Sequence, residues 1–554
     1  MEEYERTARD RLALKLLGPL FFVSGATGLV WQGLWGRQLH LVFGTSTFAI
    51  ATVLSAFMAG LALGGWAIAK RVSTIQRPLQ VYGALELIIG AWAFVFPWML
   101  QGIEPVYLAF WRSWEPGPVA YGMVQFLLVG SALVVPTAAM GATLPLLARF
   151  ASDSQENSGD RIGWLYGTNT AGAVVGTFLC GFVMLPELGL WWTTVLTAAA
   201  NLVLGAVAVA LGAQVQATPD APAAAITRPA STGVLVTVAL AGFASLLYEV
   251  AYFRVLGLTL GASVYAFSVM LLAFLVGIAA GGRWGGPWAD RLHEAGGTPR
   301  VLAALAGVEI GVGVAAWGVM YAFQELPFWY VWGFDLFNGD RSATGLWIMS
   351  CVLAGLVLLA PTLLMGVAFP LAVRAVVGSD GEVGSDVGRV YAANTAGGVP
   401  GAALAGFVLL PWLEVRGTIA LGVVVNVLAA AAAVSAVPAG SEERSRATRR
   451  LGGVVAAVAL ISAVLPPPWD PMMMTSGMYK YVTDLSDHSR EGIRSFASRQ
   501  YDMLYYREGL SSVVTVARNQ DTGNIWLANN GKIDASTTYD MPTQVLVSLL
   551  PFQF

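Results

Sequence analysis

The chain has 554 residues, 56% of them hydrophobic and only 12% charged, with a mean hydropathy of +0.64. Soluble domains carry about 25% charged residues, so a water-soluble enzyme is excluded and a multi-spanning membrane protein is indicated. The 31 basic and 34 acidic residues nearly cancel, leaving a net charge of −3 and no bulk electrostatic pull toward nucleic acid.

Apolar runs long enough to cross the hydrocarbon core recur in chain order at 14–36, 46–69, 79–100, 121–148, 163–184 and 190–212. A second set lies at 233–254, 263–283, 301–323, 345–373, 387–409 and 416–437, and 451–466 is a candidate thirteenth span. The first run leads straight into further spans and lacks a small-residue cleavage site, so it does not read as a signal peptide. Lys and Arg in the connections are distributed 19 against 5 between the two sides. The Lys/Arg-rich side is the cytoplasmic one, which predicts a multi-pass plasma-membrane protein with a cytoplasmic N-terminus. Cys180 and Cys351 sit in apolar runs and read as small buried thiols. His40, His293 and His488 fall in unrelated segments, so no metal centre is expected.

Residues 24–65 align without a gap on 241–282, with 15 identities in 42, including Gly25/Gly242, Arg37/Arg254, Gly60/Gly277 and Gly64/Gly281. At an offset of 225, Pro136, Met140 and Pro145 recur as Pro361, Met365 and Pro370, and 163–188 shares 15 of 26 residues with 388–413. Each half has six spans, an even number, so the halves are parallel repeats related by an axis along the membrane normal. The expected fold is a mainly α, polytopic membrane bundle of two six-helix repeats, 1–212 and 233–437, followed by a small antiparallel β domain at 467–554. Residues 213–232 form a linker between the repeats, and 438–450 form a basic linker ahead of 451–466. In plan the chain resembles the major-facilitator transporters, with a basic loop after a Gly-rich second helix.

Ionisable groups at membrane depth usually face a cavity or a partner. Glu86 and Glu309 occupy matching places in the third span of each half, Gln32 matches Glu249, and Asn169 matches Asn394. Arg37 and Arg254 stand close to the Gln32/Glu249 pair. Two readings remain open for these residues. They line a central cavity that binds a cation, a polyamine included, or relays protons; or they bond backbone and anchor helix ends.

After Pro466-Pro467-Pro468 charged residues return. The stretch 501–533 alternates like β-strands, Asn530-Gly531 signals a tight turn, and 541–550 reads as a short helix with Pro at its second position. The segments Asp502-Met-Leu-Tyr-Tyr-Arg507-Glu508-Gly509, Asn530-Gly531-Lys532-Ile-Asp534 and Asp540-Met-Pro-Thr-Gln544 resemble the N-terminal β-domain of the spermidine synthase (polyamine aminopropyltransferase) family. The resemblance is to the form fused behind a membrane domain in bacteria, with which the Gly25-Ala-Thr-Gly-Leu-Val-Trp31 opening is also similar.

That resemblance implies a β-hairpin lid over polyamine and decarboxylated S-adenosylmethionine, the co-substrate bound by a following Rossmann-like domain. It implies substrate contacts at Gln544, with Asp534 and Asp540 as weaker candidates; Leu549 stands where relatives usually have His. The sequence stops at Phe554, where the Rossmann strand and Gly-rich turn of the family would begin. No catalytic residue or resident cofactor is therefore expected in this chain, which is expected to be inactive alone unless a separate Rossmann-like chain supplies the missing half. The expected partners are the lipid bilayer, a polyamine or small cation, and that separate chain. Three functions are carried forward: a membrane-anchored spermidine synthase-like protein, a polyamine or small-cation transporter, and a non-catalytic scaffold.

Overall fold

The computed structural model describes residues 8–43, 47–114, 117–151, 158–215, 229–261, 264–377, 383–465, 467–509, 512–538 and 540–550. Most of the predicted 213–232 linker and the end of the chain after Leu550 lie outside the described residues.

The first repeat consists of α1 (Ala8–Phe43), α2 (Thr47–Ala69), α3 (Pro78–Trp114), α4 (Pro118–Ala151), α5 (Ser158–Leu179) and α6 (Leu185–Gly212). The second consists of α7 (Pro229–Leu260), α8 (Val264–Leu336), α9 (Ala343–Val376), α10 (Val383–Leu404) and α11 (Leu410–Ala436). Nine helical runs among the described residues are long and apolar enough to cross a bilayer, and three of them, of 54, 72 and 54 residues, each hold two of the predicted spans. In the 72-residue run the break is Gly296-Gly297, both outside helical geometry, with Gly297 at φ 66°. Trp66, Leu127, Trp192, Val203, Leu356 and Leu428 project outward, more than half exposed. This is the surface expected where the surrounding solvent is lipid.

The repeats copy each other in backbone detail. Both α4 and α9 carry two prolines at equivalent places, Pro136 and Pro145 against Pro361 and Pro370. A π-turn follows α5 at Cys180–Met184 and α10 at Ala405–Leu409. Five residues beyond each π-turn the chain leaves helical geometry, at Gly189 (φ 68°, ψ −177°) and at Glu414 (φ 58°, ψ −178°). That region of backbone space suits glycine and strains any other residue. The first repeat is relaxed there and the second is not.

Helices meet through glycines. A Cβ at Gly25 would lie 2.0 Å from the Asn169 carbonyl, and one at Gly242 would lie 1.9 Å from that of Asn394. The first span of each repeat thus rests directly on the backbone of the fifth. Between repeats, α5 packs on α8 and α10 on α2. At the α5–α8 crossing Asp290 accepts from the Gly159 and Asp160 amides (3.1 and 2.7 Å) and pairs with Arg374 at 2.8 Å.

Helix α12 (Glu442–Val464) starts two turns before the apolar window 451–466 and is not among the nine apolar runs. Its Ser441 cap accepts from the Arg444 amide, and Arg444 reaches the Val437 carbonyl at the end of α11. At its far end Leu465 accepts from the Tyr321 hydroxyl, and Arg416, near the start of α11, bonds the Pro467 carbonyl. So α12 runs antiparallel to α11, about 34 Å long at 1.5 Å per residue, with six charged side chains in its first nine residues, 442–450.

The remainder forms short helices α13 (Pro471–Met474), α14 (Met478–Tyr481) and α15 (Arg490–Arg494), then a sheet of order β1-β2-β3-β4 and α16 (Met541–Leu549). The strands are β1 (Tyr501–Glu508), β2 (Val513–Asn519), β3 (Ile525–Asn529) and β4 (Lys532–Ser536), all antiparallel. Asn530 and Gly531, at φ 48° and 82°, turn β3 into β4 as the dipeptide predicts. One face of the sheet buries Ala517, Trp526 and Ala528 against Met472. Met473, Met474, Met478, Val482 and Ile493 join the same apolar cluster as Tyr252 and Phe323 of the second repeat. The tail is built onto one end of that repeat.

Candidate functional site

A cavity of about 280 Å³ lies between the repeats. Its walls include Ser24, Gln32 and Asn169 from the first and Glu249, Glu309 and Asn394 from the second. Tyr166, Phe369 and Tyr391 form an aromatic cluster in the lining, Tyr166 stacking on Phe369 at 4.6 Å and Phe369 meeting Tyr391 edge-on at 6.4 Å. Three thioethers, Met58, Met140 and Met365, complete an otherwise largely apolar lining. No Lys, Arg or His lines the cavity among the described residues.

Two matching polar triads hold the intramembrane glutamates. In the first repeat Trp31 Nε1 donates to Asn201 Oδ1 (2.8 Å), and Asn201 Nδ2 donates to Glu86 Oε2 (2.7 Å). In the second, Tyr248 Oη donates to Asn426 Oδ1 (2.8 Å), and Asn426 Nδ2 donates to Glu309 Oε2 (2.9 Å). The sequence reading paired the glutamates but missed the two asparagines. Their signal was present: Asn201 and Asn426 are isolated polar residues in apolar runs, separated by the 225-residue repeat.

The triads differ at the second carboxylate oxygen. Glu86 Oε1 accepts from the Ser24 hydroxyl at 2.5 Å, so both its oxygens are bonded. Position 24 aligns with 241, an alanine, and Glu309 Oε1 is buried without a hydrogen-bond partner. Glu309 is 1% exposed and lines the cavity; Glu86 is buried and does not. Glu249, on α7, also lines the cavity and has no hydrogen-bond or ion-pair partner among the described residues. Leaving a buried acceptor unbonded is costly, so Glu309 Oε1 marks a place for a donor.

The other predicted residues separate. Asn169 Nδ2 bonds the Phe21 carbonyl (3.1 Å) on the cavity wall. Arg37 is exposed, whereas Arg254 is buried, its Nη2 donating to the Gly509 carbonyl of the tail at 2.6 Å. Neither arginine lines the cavity. In the tail, Asp534 pairs with Lys532 at 3.1 Å and accepts from Asn529, which hold its carboxyl below the usual range, the Asn529 bond contributing most. The Asp540 amide bonds Ser536 Oγ, and Gln544 Nε2 bonds the Ser536 carbonyl at 3.3 Å, so both are tied to the end of β4. No group of three or more His, Cys, Asp or Glu able to hold a metal occurs among the described residues.

No family model matches the chain. A curated relative, polyamine aminopropyltransferase 2 of Streptomyces coelicolor (strain ATCC BAA-471 / A3(2) / M145), is 28% identical over 186 residues, 33% of this chain. The match takes in about a third of that relative's own length, 32%. Among solved structures, a bacterial homologue of the iron transporter ferroportin, crystallised in an outward-facing state with soaked iron, superposes with a TM-score of 0.51 at 13% identity. That superposition covers 76% of this chain and 98% of the other. The chain shares the fold of that structure, a multi-pass membrane helical bundle, and carries in addition a small antiparallel sheet near its C-terminal end.

Proposed function

We propose that the protein is an inner-membrane transporter that passes a small cation through the cavity between its repeats. The observation that carries this reading is a cavity walled by both halves, holding Glu249 and Glu309 with no basic side chain among its described lining residues. Acidic groups at such a depth belong to substrate or ion pathways, and a site at the repeat interface can be exposed alternately by rocking one half against the other. The positive-inside distribution supports a cytoplasmic N-terminus. With α12 running the length of α11, it supports a tail on the opposite face. Uptake of radiolabelled cations into oriented vesicles tests the proposal: Glu249→Gln and Glu309→Gln should each abolish it, and uptake undiminished in both variants would refute it.

A second reading has its own support. The tail's likeness to the spermidine synthase lid, together with the aminopropyltransferase relative, favours a link to aminopropyl chemistry, with Gln544, Asp534 and Asp540 toward the substrate. In that reading a separate Rossmann-like chain binds decarboxylated S-adenosylmethionine. Aminopropyl transfer that requires co-purification of such a chain would support it.

A further inference from the structure

Resting on the transporter reading, we infer that the cavity binds a primary diamine, one ammonium donating to Glu309 Oε1 and the other to Glu249. The difference between the repeats singles out Glu309. Both glutamates take one hydrogen bond from an asparagine, but Ser24 fills the second oxygen of Glu86 while Ala241 leaves that of Glu309 empty inside the cavity. What the second repeat lacks is a hydrogen-bond donor.

The donor set decides which cation fits. A bare divalent metal ion needs several oxygen or nitrogen ligands to replace its water, and the described lining offers two carboxylates, Glu249 and Glu309, its other polar groups being neutral amides and hydroxyls. An ammonium group instead needs few charged acceptors. It brings its own N–H donors, and a single carboxylate oxygen with amide and hydroxyl neighbours satisfies them. The rest of the lining suits an alkyl chain flanked by charge: Met58, Met140 and Met365 are adaptable apolar surfaces, and Tyr166, Phe369 and Tyr391 offer ring faces to a cation. Two separate carboxylates call for two ammonium groups.

The full-length protein in nanodiscs, titrated calorimetrically, tests this without any substitution. The expected order is 1,4-diaminobutane tighter than butylamine, with tetramethylammonium, which has no N–H, and Mn²⁺ not competing. Ala241→Ser copies the Ser24 hydroxyl to the empty position and should weaken 1,4-diaminobutane about tenfold or more, the worth of one charge-assisted hydrogen bond. The overall charge is unchanged in that variant. Mn²⁺ displacing the diamine, tetramethylammonium binding equally well, or an unchanged affinity in Ala241→Ser would each overturn the inference. Vesicle uptake of a metal ion but no amine would sink the diamine while leaving the transporter standing; no cation bound or moved would sink both.

Discussion

Arg254 Nη2 donates to the Gly509 carbonyl at 2.6 Å, joining the last turns of α7 to the turn between β1 and β2. Its repeat counterpart Arg37 is exposed. Duplication supplied two equivalent arginines, and the tail covers one. Arg254→Ala should therefore loosen the tail, read as faster proteolysis and hydrogen exchange of 470–536 with the helical bundle intact. Arg37→Ala should leave tail protection unchanged. Equal effects of the two substitutions would remove the tail from any special association with the second repeat.

Beside this contact Glu508 accepts from the Val415 amide (2.9 Å) and from Tyr506 Oη (2.7 Å). Burial pushes its carboxyl above the ordinary carboxylate range, outweighing the hydrogen bonds that favour the anion and the attraction of Arg254, while Glu414 adds to the rise. The docked state thus holds the proton more tightly than the undocked one. Docking is strongest below the ordinary carboxylate pKa and weakens as pH rises through the raised value. Tail protection followed by hydrogen exchange across this range should show that loss, and Glu508→Gln should flatten it.

Asp290 and Arg374, each side chain 8% exposed, form the buried pair at the crossing of the two repeats. Removing one partner from a buried pair costs about 3–5 kcal/mol. Arg374→Ala is expected to lower the thermal midpoint in detergent by several degrees more than Arg283→Ala, whose pair with Asp160 is half exposed. Similar midpoints would mean that Asp290 is held adequately by the Gly159 and Asp160 amides alone.

Gly25→Ala should be far more damaging than Gly28→Ala. The first places a methyl 2.0 Å from a carbonyl oxygen of α5; the second meets nothing within 4 Å. Overpacking of this kind costs about 1–3 kcal/mol or more, measurable as loss of folded yield and thermal stability. Comparable behaviour of the two variants would contradict the close contact between the first and fifth spans.

Attaching a membrane-impermeant maleimide to Asp521→Cys, at the exposed turn after β2, and to Glu443→Cys, at the start of α12, reads the topology in a background with Cys180 and Cys351 replaced. The first should react in intact cells and the second only after permeabilisation. The reverse pattern would put the tail in the cytoplasm.

The spans, the duplication and the hairpin were legible because each rests on local signals: apolar runs, repeated spacing and an Asn-Gly turn. The acidic pair was visible too, but its inequivalence was not. The chemistry of Glu309 depends on Ala241, which is 68 residues away in sequence and unremarkable as an alanine in an apolar helix. Likewise, nothing near Arg254 in sequence announces Gly509, because that contact exists only once the tail has folded back. The start of α12 at Glu442 is not announced by the apolar stretch 451–466, because the basic residues ahead of that stretch carry no hydrophobic signal.

One consequence follows from the bend at Glu414. Its partner in the first repeat is a glycine that bends freely, whereas Glu414 holds a left-handed conformation while the neighbouring Val415 amide is clasped by Glu508. The two copies of one hinge have thus diverged into an autonomous joint and a splinted joint. A glycine at 414 would relieve the strained backbone yet leave the Val415 amide bonded to Glu508, so the splint does not depend on the strain.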